Sequence, residues 1–417
     1  MQTLQLPLAL ACCCLTASPA HSENFLSAQE RQADARALCE FVTEEYAYFD
    51  LKKTDWPAAC RALQSRAPQA DTRKSFLQAM EAALRELYDE HAHFGTANAD
   101  SQRLAPSHTD LRAHWQQGRA LIRAVRGAAA RAGLQAGMEV LEIDGQPVAA
   151  ASAAFTPRFM QSADPAAADY GLQQALAGPR NRAQISLRVQ HDGVAREISF
   201  TPSYPAPDTL LSSSLRDGVA QIRIHNALGN EKLIPAFDQA MREVAGAKAL
   251  ILDLRDTPSG GNSLVARALM GHFVSSPQPY QRHELVQEAR SKGVPRIWLE
   301  YVAPRAPYFG GRLVVLAGPW TGSMGEGMAI GLHAAAGASV YGSEMAQLLG
   351  ALGELRLPHS QWVVRIPTEK LMHVSGLPRE SFRPCAAPGL TAEAAFVDAQ
   401  LWQAWLRAPQ CPARAPG

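Results

Sequence analysis

The stretch Gly311–Gly337, "GRLVVLAGPWTGSMGEGMAIGLHAAAG", decides how the chain folds. An apolar run of strand length breaks at Gly318-Pro319, passes through small residues, and restarts as a helix near Met324. Strand, turn and helix in that order build a parallel α/β sheet, whose functional loops gather at the carboxyl ends of the strands. Ser323 sits where the helix begins, beside unpaired N–H groups that favour developing negative charge. A serine there reads either as a plain helix cap or as a nucleophile that needs a base.

The same unit stands upstream. "EKLIPAFDQAMREVAG" (231–246) is an amphipathic helix, "KALILDLR" (248–255) a buried strand, and "DTPSGGNS" (256–263) a turn into the helix "LVARALMGHFV" (264–274). Consecutive glycines let a backbone turn tightly enough to aim N–H groups into one small space, as an oxyanion hole requires. Gly260 or Gly261, with the N–H of Met324, are the candidate donors, and a simple turn is the plainer alternative.

Outward from this core the texture changes twice. From Glu23 to about Ala97 the pattern is helical. In "DTRKSFLQAMEAALRELYDEHAHF" (71–94), Asp71 and Thr72 can cap a helix, and Phe76, Met80, Ala83, Leu84 and Leu87 form one apolar face against which the aromatic cluster 44–56 packs. Between about Pro106 and Pro205 short β segments prevail: "EVLEI", "AQISLRVQ" and "AREISF", with "AARAGLQAGMEVLEIDGQPV" (129–148) giving a small helix, a Gly-Met turn, a strand and an Asp-Gly turn. This resembles the PDZ signature, whose modules add a peptide strand to a sheet edge. Residues 149–179 read as an insertion able to cover that groove.

The order of helical region, PDZ-like module, strand-"DLR"-Gly-Gly and strand-small-Ser-x-x-Glu-helix resembles the carboxyl-terminal processing and tricorn-type serine peptidases over essentially the whole mature chain. The resemblance implies an α/β fold with an N-terminal helical region, a PDZ-like β domain and a ClpP/crotonase-like αβ catalytic core. The processing branch serves its serine with a lysine about 25 residues downstream; here no lysine lies between Ser323 and Lys370, which leaves Lys370 a weak dyad candidate. The tricorn branch uses a histidine before the PDZ module and a glutamate nearly 60 residues after the serine. "ELYDEHAHFG" (86–95) and "GLPRESFRP" (376–384) resemble those segments and place His91 and Glu380 at the matching positions. The implied roles are His91 as general base to Ser323 and Glu380 as the group that orients and charge-balances the imidazole. His93 is the rival base, and His373 is close enough in sequence to approach the site. Glu326, three residues along the serine's helix, is expected to support the loop, while Arg379 is a partner for Glu380 or a ligand for a substrate carboxylate.

The expected activity is therefore a serine endopeptidase acting on a peptide or protein, without cofactor or metal. The alternative is a catalytically degenerate protein that binds peptides or apolar ligands. A lipase elbow is disfavoured because Thr321 stands where its first glycine belongs, and no phosphate loop is present. Of the 417 residues, 47% are hydrophobic and 19% charged, with a net charge of +1, so a folded protein of several domains without a nucleic-acid surface is expected.

Residues 1–22 read as a secretory signal, a lipoprotein anchor through Cys12 ranking second, and no later run suffices for a membrane span. A periplasmic or secreted location follows, and four cysteines remain beyond the signal. Cys39 with Cys60 and Cys385 with Cys411 are the nearest pairs, and four free thiols are the alternative. The expected boundaries are a helical region over 23–105, the PDZ-like domain over 106–205, the core over 206–407 and a tail over 408–417. The oligomeric state is left open.

Overall fold

The computed structural model describes residues 25–95, 100–101, 109–177, 184–202 and 209–387. The signal segment, the tail and Cys411 lie outside these. Among the described residues the architecture is mixed α/β, with three sheets.

The central sheet has six strands in the spatial order Cys385–Ala386, Ser339–Gly342, Arg312–Ala317, Ala249–Asp253, Val219–Ile224, Leu211–Arg216. All neighbouring pairs are parallel except the last, in which Leu211–Arg216 runs antiparallel to Val219–Ile224. Every residue of Ala249–Asp253 is buried, as expected of a strand covered on both faces. Helices Leu233–Glu243, Ser263–Met270 and Met324–Ala336 cover one face through Phe237, Val265, Leu269, Met328 and Leu332.

A second, antiparallel sheet contains strands Gln278–Leu285, Arg296–Val302, Ala351–Arg356 and Val363–Met372, with the two-residue strand His93–Phe94 at one edge. The sequence pattern does not announce these strands, because charged residues and Pro279 and Pro367 interrupt them. The short edge pair, His93 with Arg365 and Phe94 with Val364, ties the N-terminal region to the core. Packing completes the tie: Phe76 stacks on Trp362, and buried Asp34 accepts the backbone N–H groups of His359 and Ser360.

The N-terminal region consists of helices Ala28–Glu45, Trp56–Arg66 and Arg73–Arg85. Thr72 caps the third by accepting from Ser75 N–H. A Cys39–Cys60 disulfide joins the first two.

Residues 111–177 and 184–200 form an antiparallel module ordered Leu111–Gln116, Arg119–Val125, Glu139–Ile143, Ile185–His191, Val194–Phe200. The insertion folds as helices Val148–Ala153 and Pro165–Ala177. The module is latched to the core beside the serine loop. Trp320 Nε1 donates to Thr109 O at 2.6 Å, and the Arg126 guanidinium lies 4.6 Å from the Trp320 ring centre while pairing with Asp256 at 3.0 Å. No helix among the described residues is long and apolar enough to cross a membrane.

Candidate active site

The two strand-end loops converge because the parallel ladder outlasts its strands. Thr257 and Thr321 form an isolated parallel bridge; Thr257 N–H donates to Trp320 O at 3.1 Å and Gly322 N–H to Thr257 O at 3.2 Å. Gly260 then lies directly against the serine. A Cβ on it would sit 2.4 Å from Ser323 Cβ and 3.0 Å from both Ser323 Oγ and Met324 N, and its φ of +63° is one that side chains avoid.

Ser323 itself has φ +50° and ψ −113°, a conformation that costs a non-glycine residue about 1–3 kcal/mol. Its neighbours impose it. Ser323 N–H donates to Glu326 Oε2 at 2.8 Å, and Ser323 O accepts from Arg379 Nη2 at 2.5 Å. The result directs the hydroxyl at His91, whose Nε2 is 3.1 Å from Oγ although 232 residues separate the two in sequence.

His91 is held at its other nitrogen by the carbonyl of Leu349, 2.5 Å from Nδ1. A carbonyl only accepts, so the proton belongs on Nδ1 and the Nε2 lone pair faces the serine, which is the tautomer a general base requires. The turn that presents the ring is fixed by buried Asp89, whose Oδ1 accepts from His91 N–H at 2.9 Å and whose Oδ2 accepts from Tyr46 OH at 2.8 Å.

Glu326 closes the arrangement. Its Oε2 accepts from Ser323 N–H, from Leu348 N–H at 3.0 Å and from Arg379 Nη2 at 2.8 Å, while Oε1 accepts from Gln347 N–H at 2.9 Å. The Glu326 and Arg379 side chains are 2% and 5% exposed, so each buried charge is met by the other and by the backbone. One carboxylate thereby fixes both the serine turn and the segment that delivers the Leu349 carbonyl. The path from Glu326 through Leu348 and Leu349 to His91, and from His91 to Ser323 and back to Glu326, is a closed ring.

The other expected residues fall as follows. Gly260 N–H, one of the expected oxyanion donors, donates to Thr257 O at 3.0 Å and is spent. Glu380 is not the group that meets His91 Nδ1. It lines the cleft beside Arg379, Lys370 and Asp50, where burial pushes its carboxyl above the usual range. Arg379 turns inward to Glu326 and Ser323 O instead of pairing with Glu380 or waiting for a substrate. His93 lies in the edge strand with Nδ1 near Phe94 O. His373 contacts His333 at 3.3 Å and Ser375, and burial with the facing His333 holds it below its usual value. Lys370 pairs with Asp50 at 2.7 Å. Among the described residues no group of His, Cys, Asp and Glu could hold a metal ion. Sequence reasoning missed the Leu349 carbonyl, since a backbone acceptor leaves no signal in residue type.

A cleft of about 1020 Å³ runs between the β module and the core. Its walls include Trp320, Leu349 and Glu380 on the core side, Arg112 and Gln173 from the module, and Lys52 from the N-terminal region.

Residues 218–380 match the model of peptidase family S41. No curated protein sequence matches the chain. Among solved structures, the chain is similar to a photosystem II D1 C-terminal processing protease at 16% identity and a TM-score of 0.55, covering 89% of this chain and 95% of that one. It is also similar to mature CPAF at 14% identity and a TM-score of 0.58, covering 88% and 93%, and to CPAF complexed with lactacystin at 15% identity and 0.56, covering 88% and 94%. These likenesses extend the shared fold well beyond the segment matched by the family model.

Proposed function

We propose that this chain, a serine-type peptidase of family S41, cleaves internal peptide bonds through an acyl-enzyme on Ser323, with His91 as the base. The observation that carries the reading is the 3.1 Å contact between Ser323 Oγ and His91 Nε2, with Nδ1 fixed on the Leu349 carbonyl.

The chemistry follows from those atoms. His91 takes the Oγ proton as oxygen attacks the substrate carbonyl, and the oxyanion forms beside the N–H groups of Met324 and Gly261. The imidazolium then returns that proton to the departing amine, leaving the acyl group on Ser323. A water activated by the same imidazole releases the acid. Glu380, which does not bond His91 Nδ1, acts by charge at a distance, so its role is smaller than that of a directly bonded triad acid.

A periplasmic or secreted location belongs to this reading. The Cys39–Cys60 disulfide supports it, because such bonds persist in oxidising compartments. The antiparallel module over 111–177 and 184–200 is read as PDZ-like from its order of strands and turns.

A fluorophosphonate probe should label Ser323, and Ser323→Ala should abolish the labelling. Both Ser323→Ala and His91→Ala should lower kcat on a quenched peptide by about 10³-fold or more, whereas His93→Ala should leave it near wild type. Folded protein that neither takes the probe nor turns over peptide would instead be the degenerate binding protein.

A further inference from the structure

The wall of the cleft contributed by the β module includes an edge strand, Leu111–Gln116, which among the described residues pairs on one side only, with Arg119–Val125. A free edge lining a cleft of this kind is where an extended peptide would add as a further strand. In an antiparallel pair the backbone groups of alternate residues point outward. Here these are the odd-numbered ones: Ile122, opposite Ala113, spends its own N–H and C=O on Met138 and Gly137 on the far side.

Three of those outward groups are already engaged by the insertion. Ala113 N–H donates to Gln173 Oε1 at 3.2 Å, Gln173 Nε2 donates to Leu111 O at 3.1 Å, and Trp115 N–H donates to Asp169 Oδ1 at 2.6 Å. Gln173 and Asp169 are four residues apart on helix Pro165–Ala177 and so share one face, spaced to meet the two-residue repeat of the strand. The Gln173 carboxamide supplies one acceptor and one donor, as a peptide unit would. It is 4% exposed. The helix is fixed from behind, for a Cβ on Gly171 would lie 2.2 Å from Thr156 Oγ1 and 3.0 Å from Ser152 O.

We infer that this edge is capped from within, Gln173 and Asp169 standing where a peptide backbone would bond, so that the peptidase takes substrates without strand addition here and without selecting a free carboxyl terminus. The inference rests on the peptidase reading for its substrate statement and on the hydrogen bonds alone for the cap. Specificity then resides in the cleft, and internal segments of a chain are cleaved as readily as terminal ones.

Two measurements on the full chain test it. Hydrolysis of one quenched decapeptide, made as the free acid and as the carboxyl-terminal amide, should give kcat/KM values within threefold. A tenfold or larger preference for the acid overturns the inference. Hydrogen exchange of residues 111–116 reads the cap whether or not the protein is active. Exchange should be slow in the native chain and unaltered by a saturating free-acid peptide. It should be at least tenfold faster in Gln173→Ala, while Gln173→Glu, which keeps the side-chain volume and the acceptor for Ala113, should lie between. Protection gained on adding peptide to the native chain, or unchanged exchange in folded Gln173→Ala, overturns the cap. Failure of all hydrolysis would count against the peptidase reading and leave the exchange result to decide the cap.

Discussion

The ring through Glu326 makes a graded prediction, because Glu326→Gln breaks it at a definable place. The amide keeps one acceptor oxygen and gains a donor. Its oxygen will occupy the Oε2 position, where Ser323 N–H, Leu348 N–H and Arg379 converge, and its NH₂ will then face the Gln347 N–H, donor against donor. The Gln347 N–H left without an acceptor is only part-buried, so its loss costs about 1 kcal/mol, the low end for a buried group. Loss of the charge opposite the buried Arg379 guanidinium adds to this, although the surviving hydrogen bond keeps it below the 3–5 kcal/mol of a severed buried pair. A destabilisation of about 3 kcal/mol is expected, which a domain with roughly 5–15 kcal/mol of stability survives.

The catalytic effect of that substitution is larger than its stability effect suggests. Segment 347–349 loses one of its two anchors, and the Leu349 carbonyl that sets the His91 tautomer is free to move. The expected loss is about 10²-fold in kcat with little change in KM, short of the roughly 10⁴-fold that follows a wholly mis-set imidazole. Glu326→Ala, which removes all four acceptor contacts, should fall further in both activity and urea stability. Steady-state kinetics on a quenched peptide alongside urea unfolding reads both numbers. A folded Glu326→Gln enzyme with kcat within threefold of wild type would refute the ring as the device that positions His91.

Two further predictions concern backbone and pH. Gly260→Ala places a methyl 2.4 Å from Ser323 Cβ and should cut kcat by at least about 10²-fold, whereas Gly293→Ala, also at positive φ but with no atom within 4 Å of its Cβ, should pay only backbone strain of about 1 kcal/mol and keep full activity. Equal activity in the two variants would contradict the close approach at Ser323. Away from the site, burial pushes His283 down, but hydrogen bonds to Glu300 at 3.2 Å and Glu369 at 2.9 Å outweigh it and hold the ring at about 9, with Trp298 stacked on it. A histidine raised in the folded state contributes stability that is complete below about 6.5 and lost as pH climbs through about 9. Urea unfolding should therefore show wild type ahead of His283→Gln at pH 6, with the gap closing by pH 10. A gap independent of pH would mean that the two carboxylates do not hold the proton.

How far the sequence could be read depended on whether a feature resides in one segment or in the meeting of several. Strands Ala249–Asp253 and Arg312–Ala317 and the helix after Ser323 announce themselves through local pattern, since burial on both faces makes a parallel strand uniformly apolar and small residues mark the turn. The antiparallel sheet that completes the core is hidden, because Val363–Met372 carries charge and a proline and takes its order from neighbours: Pro367 O accepts Ala47 N–H, and Arg365 pairs with His93. That sheet sets the histidine. Strand His93–Phe94 joins it two residues after His91, and strand Ala351–Arg356 begins two residues after Leu349, so the ring and its carbonyl partner meet through sheet register. Of the contacts around His91, the sequence could suggest the serine, by resemblance to known peptidases. The carbonyl, 258 residues away and supplied by a leucine whose side chain has no part in the bond, could be found only in the fold. The site chemistry thus depends on a register that no single segment encodes, and the cost of disturbing Glu326 should exceed what its own hydrogen bonds are worth.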